Sequence, residues 1–176
     1  MNDLFYLETQ LPANDAWINN VAEIITSYDQ RNYINQILTP EILALPALTS
    51  LANKALLVCK EYVQLRVNNM PQPPADWTRE VPVSTVDKKQ WQVLKEFLES
   101  PDQQFFDYRA IQHERTEMEL AISRVVIDLK KETIRKGSPH TLRITKTMAA
   151  YERLMKDWNE DVMLLEKINK KAAGRT

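Results

Sequence analysis

Apolar residues recur along most of this chain at three- and four-residue intervals, the spacing that gathers one face of an α-helix. Trp17, Val21, Ile24, Ile25 and Tyr28 form the first such stripe, and Asn14 or Asp15 can cap it. Thr39-Pro40-Glu41 combines an N-cap, a proline suited to the first helical position and an acid facing the helix dipole, which predicts a short helix there. After Pro46 the residues Leu48, Leu51, Ala52, Ala55, Leu56, Cys59, Tyr62, Val63 and Val67 are dense enough to predict a wide buried face and a central core helix.

Periodicity stops over residues 68–86, which hold four prolines and read as a long loop, a Pro-rich crossover clamped by Trp77. It resumes at Asp87 with Trp91, Leu94 and Leu98 on one face, and Ser100-Pro101-Asp102 ends that helix. A further helix is expected from about Asp102 to Val126. Its stripe is Phe105, Tyr108, Ile111, Met118, Ile122 and Val125, interrupted by Arg115, which reads as a snorkelling or salt-bridged side chain.

Beyond Ile127 the period changes from near four to two. Leu129, Lys131 and Thr133 alternate with Lys130, Glu132 and Ile134, a Gly137-Ser138-Pro139 break follows, and Thr141-Leu142-Arg143-Ile144-Thr145 is rich in β-branched residues. Residues 128–146 therefore predict a β-hairpin. Thr145 or Thr147 can cap a last helix with a stripe of Met148, Tyr151, Met155, Trp158, Val162, Leu165 and Ile168; the 24 residues from Met148 to Lys171 would span about 36 Å. The expected fold is mainly α, a helical bundle-like domain with a β-hairpin at about 128–146 before a long C-terminal helix. One domain over 1–176 is expected, with an acidic helical body at 1–127 and a basic hairpin and long helix at 128–176.

Composition narrows the chemistry. The 176 residues include one cysteine, two histidines and two glycines, where average usage gives about 12 glycines. Gly137 and Gly174, so far apart, exclude a P-loop, a dinucleotide fingerprint and a kinase glycine-rich loop. Cys59, His113 and His140 cannot supply the four nitrogen or sulfur ligands of structural zinc. A single cysteine forms no intramolecular disulfide, no secretory leader pattern opens the chain, and no apolar run approaches the roughly 18 residues of a membrane span. These features imply a reducing, cytoplasmic setting without a membrane partner, and nothing in the chain calls for a cofactor.

Net charge is −1, but it is unevenly laid out. Residues 1–128 hold 11 basic and 18 acidic side chains, and residues 129–176 hold 12 basic and 6 acidic. The hairpin segment 128–147 carries six of those bases against Asp128 and Glu132. A basic two-stranded ribbon can enter a nucleic-acid groove and neutralise phosphates. Lys130, Lys131, Arg135, Lys136, Arg143 and Lys146 are the candidate cations, with Ser138 and His140 as hydrogen-bonding groups to phosphate or sugar. The expectation is a non-enzymatic nucleic-acid-binding or accessory protein, its partner DNA or RNA. Lysines on a hairpin also protect strand edges from aggregation without any ligand.

Four other chemistries compete with this reading. The last helix could dock a protein partner or a second copy of the chain through Tyr151, Met155, Trp158, Val162 and Leu165, which approximate a heptad, although Asp161 falls where a continuous seam would be apolar. Arg135 and His140, with four residues between them, resemble the Arg-and-His ribonuclease motif of helical HEPN domains; the resemblance covers six residues and implies a metal-independent ribonuclease. In that family the pair sits on a helix, whereas here Gly137-Ser138-Pro139 breaks any helix and Lys136 stands where a polar residue is typical. His113, Glu114 and Glu117 share a helical face but have no partner motif elsewhere, so a solvated surface explains them and no metal site is expected. Ser138 and His140 lie too close in sequence for a nucleophile and its base, and no Gly-x-Ser-x-Gly elbow exists.

Overall fold

The computed structural model describes residues 5, 6, 8, 10, 15–27 and 30–174; the expected cap Asn14, the stripe residue Tyr28 and the terminal Arg175 lie outside them. The fold is mainly α with a long C-terminal helix, as the patterning predicts, and the strands before that helix form a three-stranded sheet rather than a hairpin alone. Two compact units form: residues 1–71 with 154–176, and residues 72–153.

In the first unit, α1 (Asp15–Thr26) packs Trp17, Ile18, Val21 and Ile25 toward the core, while Ile24 from the expected stripe faces solvent. Next come α2 (Arg31–Tyr33), a π-helical turn (Ile34–Leu38) and α3 (Thr39–Ala44), which run on with helical backbone at their junctions. Thr39 is thus not an N-cap: it is fully buried and helical, and its N–H donates to Ile34 O, five residues back. The widened turn precedes Pro40, which has no N–H to continue an α ladder to Gln36. Helix α4 (Ser50–Asn68) supplies the centre, with Leu51, Ala52, Ala55, Leu56, Cys59 and Val63 all buried; Thr49 caps it by accepting from Ala52 N at 3.2 Å.

The second unit opens with the expected loop, strapped to the end of α5 (Lys88–Glu99) because Trp77 N–H donates to Pro101 O and Arg79 N–H to Leu98 O, at 2.9 and 2.8 Å. The single helix expected from Asp102 to Val126 is instead a strand and a shorter helix, β1 (Phe105–Arg109) and α6 (Gln112–Ser123). Phe105, Tyr108 and Ile111 fit a helical interval by coincidence. Phe106 and Tyr108 face inward at the two-residue interval of a strand, with Phe105, Asp107 and Arg109 outward.

The hairpin forms as β2 (Leu129–Ile134) and β3 (Thr141–Lys146), but it is not free-standing: β3 is the centre of an antiparallel sheet in the order β1-β3-β2. Leu142 and Ile144 of β3 are fully buried against Trp91, Leu94, Phe97 and Leu98 of α5 and Met118, Ala121 and Ile122 of α6. Helix α7 (Ala149–Ala172) follows, with the unit boundary after Arg153. The expected caps Thr145 and Thr147 fall short of the helix start, where Glu152 N–H donates to Met148 O. Thr145 is in β3, and the carboxylate of Asp128 accepts from Ala150 N–H at 2.9 Å, placing a negative charge at the helix N-terminus. Among the described residues, no helix is long and apolar enough to cross a membrane.

Candidate nucleic-acid interface

Strand register decides where each basic side chain points. On the outward face three rows run across the sheet: Phe105, Thr145 and Lys130; Asp107, Arg143 and Glu132; and Arg109, Thr141 and Ile134. The inward rows pair Lys131 with Ile144, which is itself opposite Phe106, and Leu129 with Lys146. The period-two alternation that predicts the hairpin also separates its lysines onto two faces.

The eight candidate residues divide accordingly. Lys130, Arg135, Lys136 and Ser138 are exposed. Arg143 is half-buried and held by Asp107 through two hydrogen bonds, Nε to Oδ1 at 2.8 Å and Nη2 to Oδ2 at 2.7 Å. Those bonds hold the Asp107 carboxyl below the usual aspartate range and raise Arg143 above the usual arginine value. Lys131 turns inward and donates to Glu119 O at 2.9 Å and to Ser123 Oγ, joining β2 to the C-terminal end of α6. His140 is half-buried, with Nδ1 2.8 Å from Gly137 O. Lys146 is 0% exposed, and its ammonium donates to Ser100 O at 2.8 Å and lies 4.6 Å from the Phe97 ring centroid. Burial pushes Lys146 below the usual lysine range, Arg79 adds to that shift and Asp76 opposes it. Lys146 is therefore withdrawn from any surface a ligand could touch.

One cation joins the hairpin that sequence spacing did not assign to it. Arg109, at the end of β1, donates from Nη2 to Ser138 O at 3.2 Å, so it stands beside the turn that carries Arg135 and Lys136. Gly137 makes that turn with φ of 81°, a conformation that side-chain-bearing residues rarely adopt. Buried Arg115 fastens the turn from beneath, donating to Ala110 O at 2.6 Å, to His140 O at 3.3 Å and to Gln112 Oε1. The interruption of the apolar stripe is thus a carbonyl-binding arginine with no acid among those partners. Residues 133–141 contain no acidic side chain, and among the described residues Arg109, Arg135 and Lys136 enter no ion pair. The missed signal was the alternation in Phe105-Phe106-Asp107-Tyr108-Arg109, short enough to be masked by a helical reading.

The other candidates fall differently. On α7, Leu165 is buried in the core of the first unit, Trp158 donates to Val67 O at 2.9 Å, and Tyr151, Met155 and Val162 are half-buried. Its large exposed apolar residues are Leu154 and Met163; nine residues is two and a half helical turns, so these two point in opposite directions. Asp161 is 2% exposed and receives Arg66 Nε at 2.9 Å, Arg31 Nε at 3.3 Å and the amide of Asn35. Arg135 and His140 stand on a hairpin rather than a helix, His140 at its turn. His113 pairs with Glu117 at 3.2 Å on an exposed helix face, and the described residues contain no cluster of three or more metal-ligating side chains. Comparison with protein-family models, curated proteins and solved structures finds no match to the chain.

Proposed function

We propose that this chain is a non-enzymatic nucleic-acid-binding or accessory protein that contacts phosphates through the tip of its β-hairpin. The observation that carries the reading is the convergence of Arg109 from β1 on the Gly137-Ser138 turn, beside Arg135 and Lys136, with no acid in residues 133–141. Arginine and lysine at a rigid turn neutralise phosphates and release their counterions, which favours association and makes it salt-dependent. Lys130 extends the cationic surface on the outward face, whereas Lys131 and Lys146 hold the fold together.

Fluorescence anisotropy with labelled single-stranded and duplex DNA and RNA, at low and moderate salt, tests this directly. The wild type binds and loses affinity as salt rises, and the triple variant Lys130→Glu, Arg135→Glu, Lys136→Glu loses binding while its circular dichroism is unchanged. Absence of binding to every nucleic acid at low salt contradicts the proposal.

A further inference from the structure

The outward face of the sheet carries a feature that phosphate binding at the turn does not use. Phe105 is 52% exposed there, in one row with Thr145 and Lys130, and the neighbouring strand places the Arg143 guanidinium carbon 5.8 Å from its ring centroid. Asp107 fixes that guanidinium through both carboxylate oxygens. The middle row therefore offers a planar, oriented guanidinium beside an aromatic ring, with its charge already paired.

Cations lie toward both ends of this face. Lys130 lies in the row of Phe105, and Arg109 lies two rows away, next to Arg135 and Lys136 on the turn. At strand spacings of ~4.8 Å and ~3.3 Å per residue, the face is about 10 Å across and its five-residue strand about 17 Å long. That area accommodates two or three unpaired bases. Aromatic rings and guanidinium planes stack bases that have been splayed out, and a paired duplex keeps its base faces covered.

We infer that the sheet binds a single-stranded nucleic acid, with an unpaired base stacked at Phe105 and Arg143 and the phosphates following Lys130, Arg109, Arg135 and Lys136. This rests on the nucleic-acid reading above and specifies the form of its ligand. The positive rim suits a polyanion, and the exposed ring supplies affinity that is indifferent to base identity.

The test uses fluorescein-labelled oligo(dT) and oligo(U) of about 12 nucleotides, and a duplex of equal length, titrated with wild type, Phe105→Ala, Phe105→Trp and the triple charge variant of Lys130, Arg135 and Lys136. The inference predicts that either single strand binds more tightly than the duplex. Phe105→Ala weakens single-strand binding about tenfold and changes duplex binding less than about twofold, and Phe105→Trp restores the single-strand affinity. Exposure of Phe105 makes its replacement compatible with folding, which circular dichroism verifies. If the triple charge variant abolishes binding but Phe105→Ala acts equally on both forms or on neither, stacking is refuted and phosphate binding stands. If no form binds the wild type at low salt, both fall together.

Discussion

Asp107 and Arg143 lie directly opposite each other on β1 and β3 and share a two-pronged ion pair, with hydrogen bonds of 2.8 and 2.7 Å. The pair cancels one cation in the middle of the sheet, where the exposed Glu132 carboxylate stands on the other side of Arg143, and leaves the cations at the turn and at Lys130 on either side of that row. Glu132→Gln removes the exposed acid of that row at nearly constant shape and leaves the Asp107–Arg143 pair in place. The expected outcome is nucleic-acid affinity raised roughly threefold at low salt, with the gain shrinking as salt increases. Anisotropy at two ionic strengths measures it.

Lys146 belongs to the most basic stretch of the chain yet has no access to solvent. Lys146→Met keeps the aliphatic volume over Phe97 and removes the ammonium that donates to Ser100 O. Binding of nucleic acid is expected to stay within about twofold of wild type, whereas an equally conservative loss of charge at Lys136 weakens it by a larger factor. Parallel titrations of the two variants separate a structural lysine from a phosphate-binding one.

The first unit depends on Asp161, which Arg66, Arg31 and Asn35 surround. Burial by itself would raise its pKa, but the hydrogen bonds from Arg66 and Asn35 and the charges of Arg66 and Arg31 outweigh burial and hold the carboxyl below the usual range. Asp161→Ala leaves two partly buried guanidinium groups without their shared acceptor and is expected to cost about 3 kcal/mol, read as a lower urea midpoint.

Acid dependence follows from the same shift. A carboxyl whose folded pKa is depressed contributes stability in full above its unfolded value of about 4, and that contribution disappears as pH falls through the folded value. Wild-type stability is expected to decline from about pH 5 to pH 3 more steeply than that of Asp161→Asn. Equal slopes for the two proteins would show that Asp161 is not responsible.

Gly137 adopts a φ of 81° at the hairpin turn, and an added Cβ would meet nothing nearer than Arg109 Nη2 at 3.9 Å. Replacement by alanine is therefore strained by its backbone rather than by a clash. Gly137→Ala is expected to lower stability by about 1 kcal/mol, and a denaturant titration measures it. It also disturbs the turn that seats Arg135 and Lys136.

Much of this architecture was legible because long elements repeat their signal. The stripe from Leu51 to Val63 outlasts any accidental match, and the short alternation from Leu129 to Ile134 is supported by the Gly137-Ser138-Pro139 break and the β-branched run after it. Five residues, Phe105 to Arg109, were too few to distinguish a strand from a helix, and losing that strand concealed both Arg109 and the central position of β3. The candidate site suffered most from this. A count of lysines in the hairpin treats Lys130 and Lys146 alike, whereas alternation across a sheet with a buried face exposes one and encloses the other. Asp161 was visible as a break in an apolar seam, but its partners Arg31 and Arg66 lie 130 and 95 residues away, beyond any local pattern.

The slope of log affinity against log salt for single-stranded nucleic acid counts the phosphates that the hairpin tip neutralises. Each phosphate neutralised on a single strand adds about 0.7 to its magnitude. Replacing Arg135 and Lys136 by glutamine is predicted to weaken binding and flatten the slope by about 1.4, while glutamine at buried Lys146 leaves the slope unchanged. A slope that is the same for wild type and the Arg135→Gln, Lys136→Gln variant would contradict phosphate recognition by the hairpin tip.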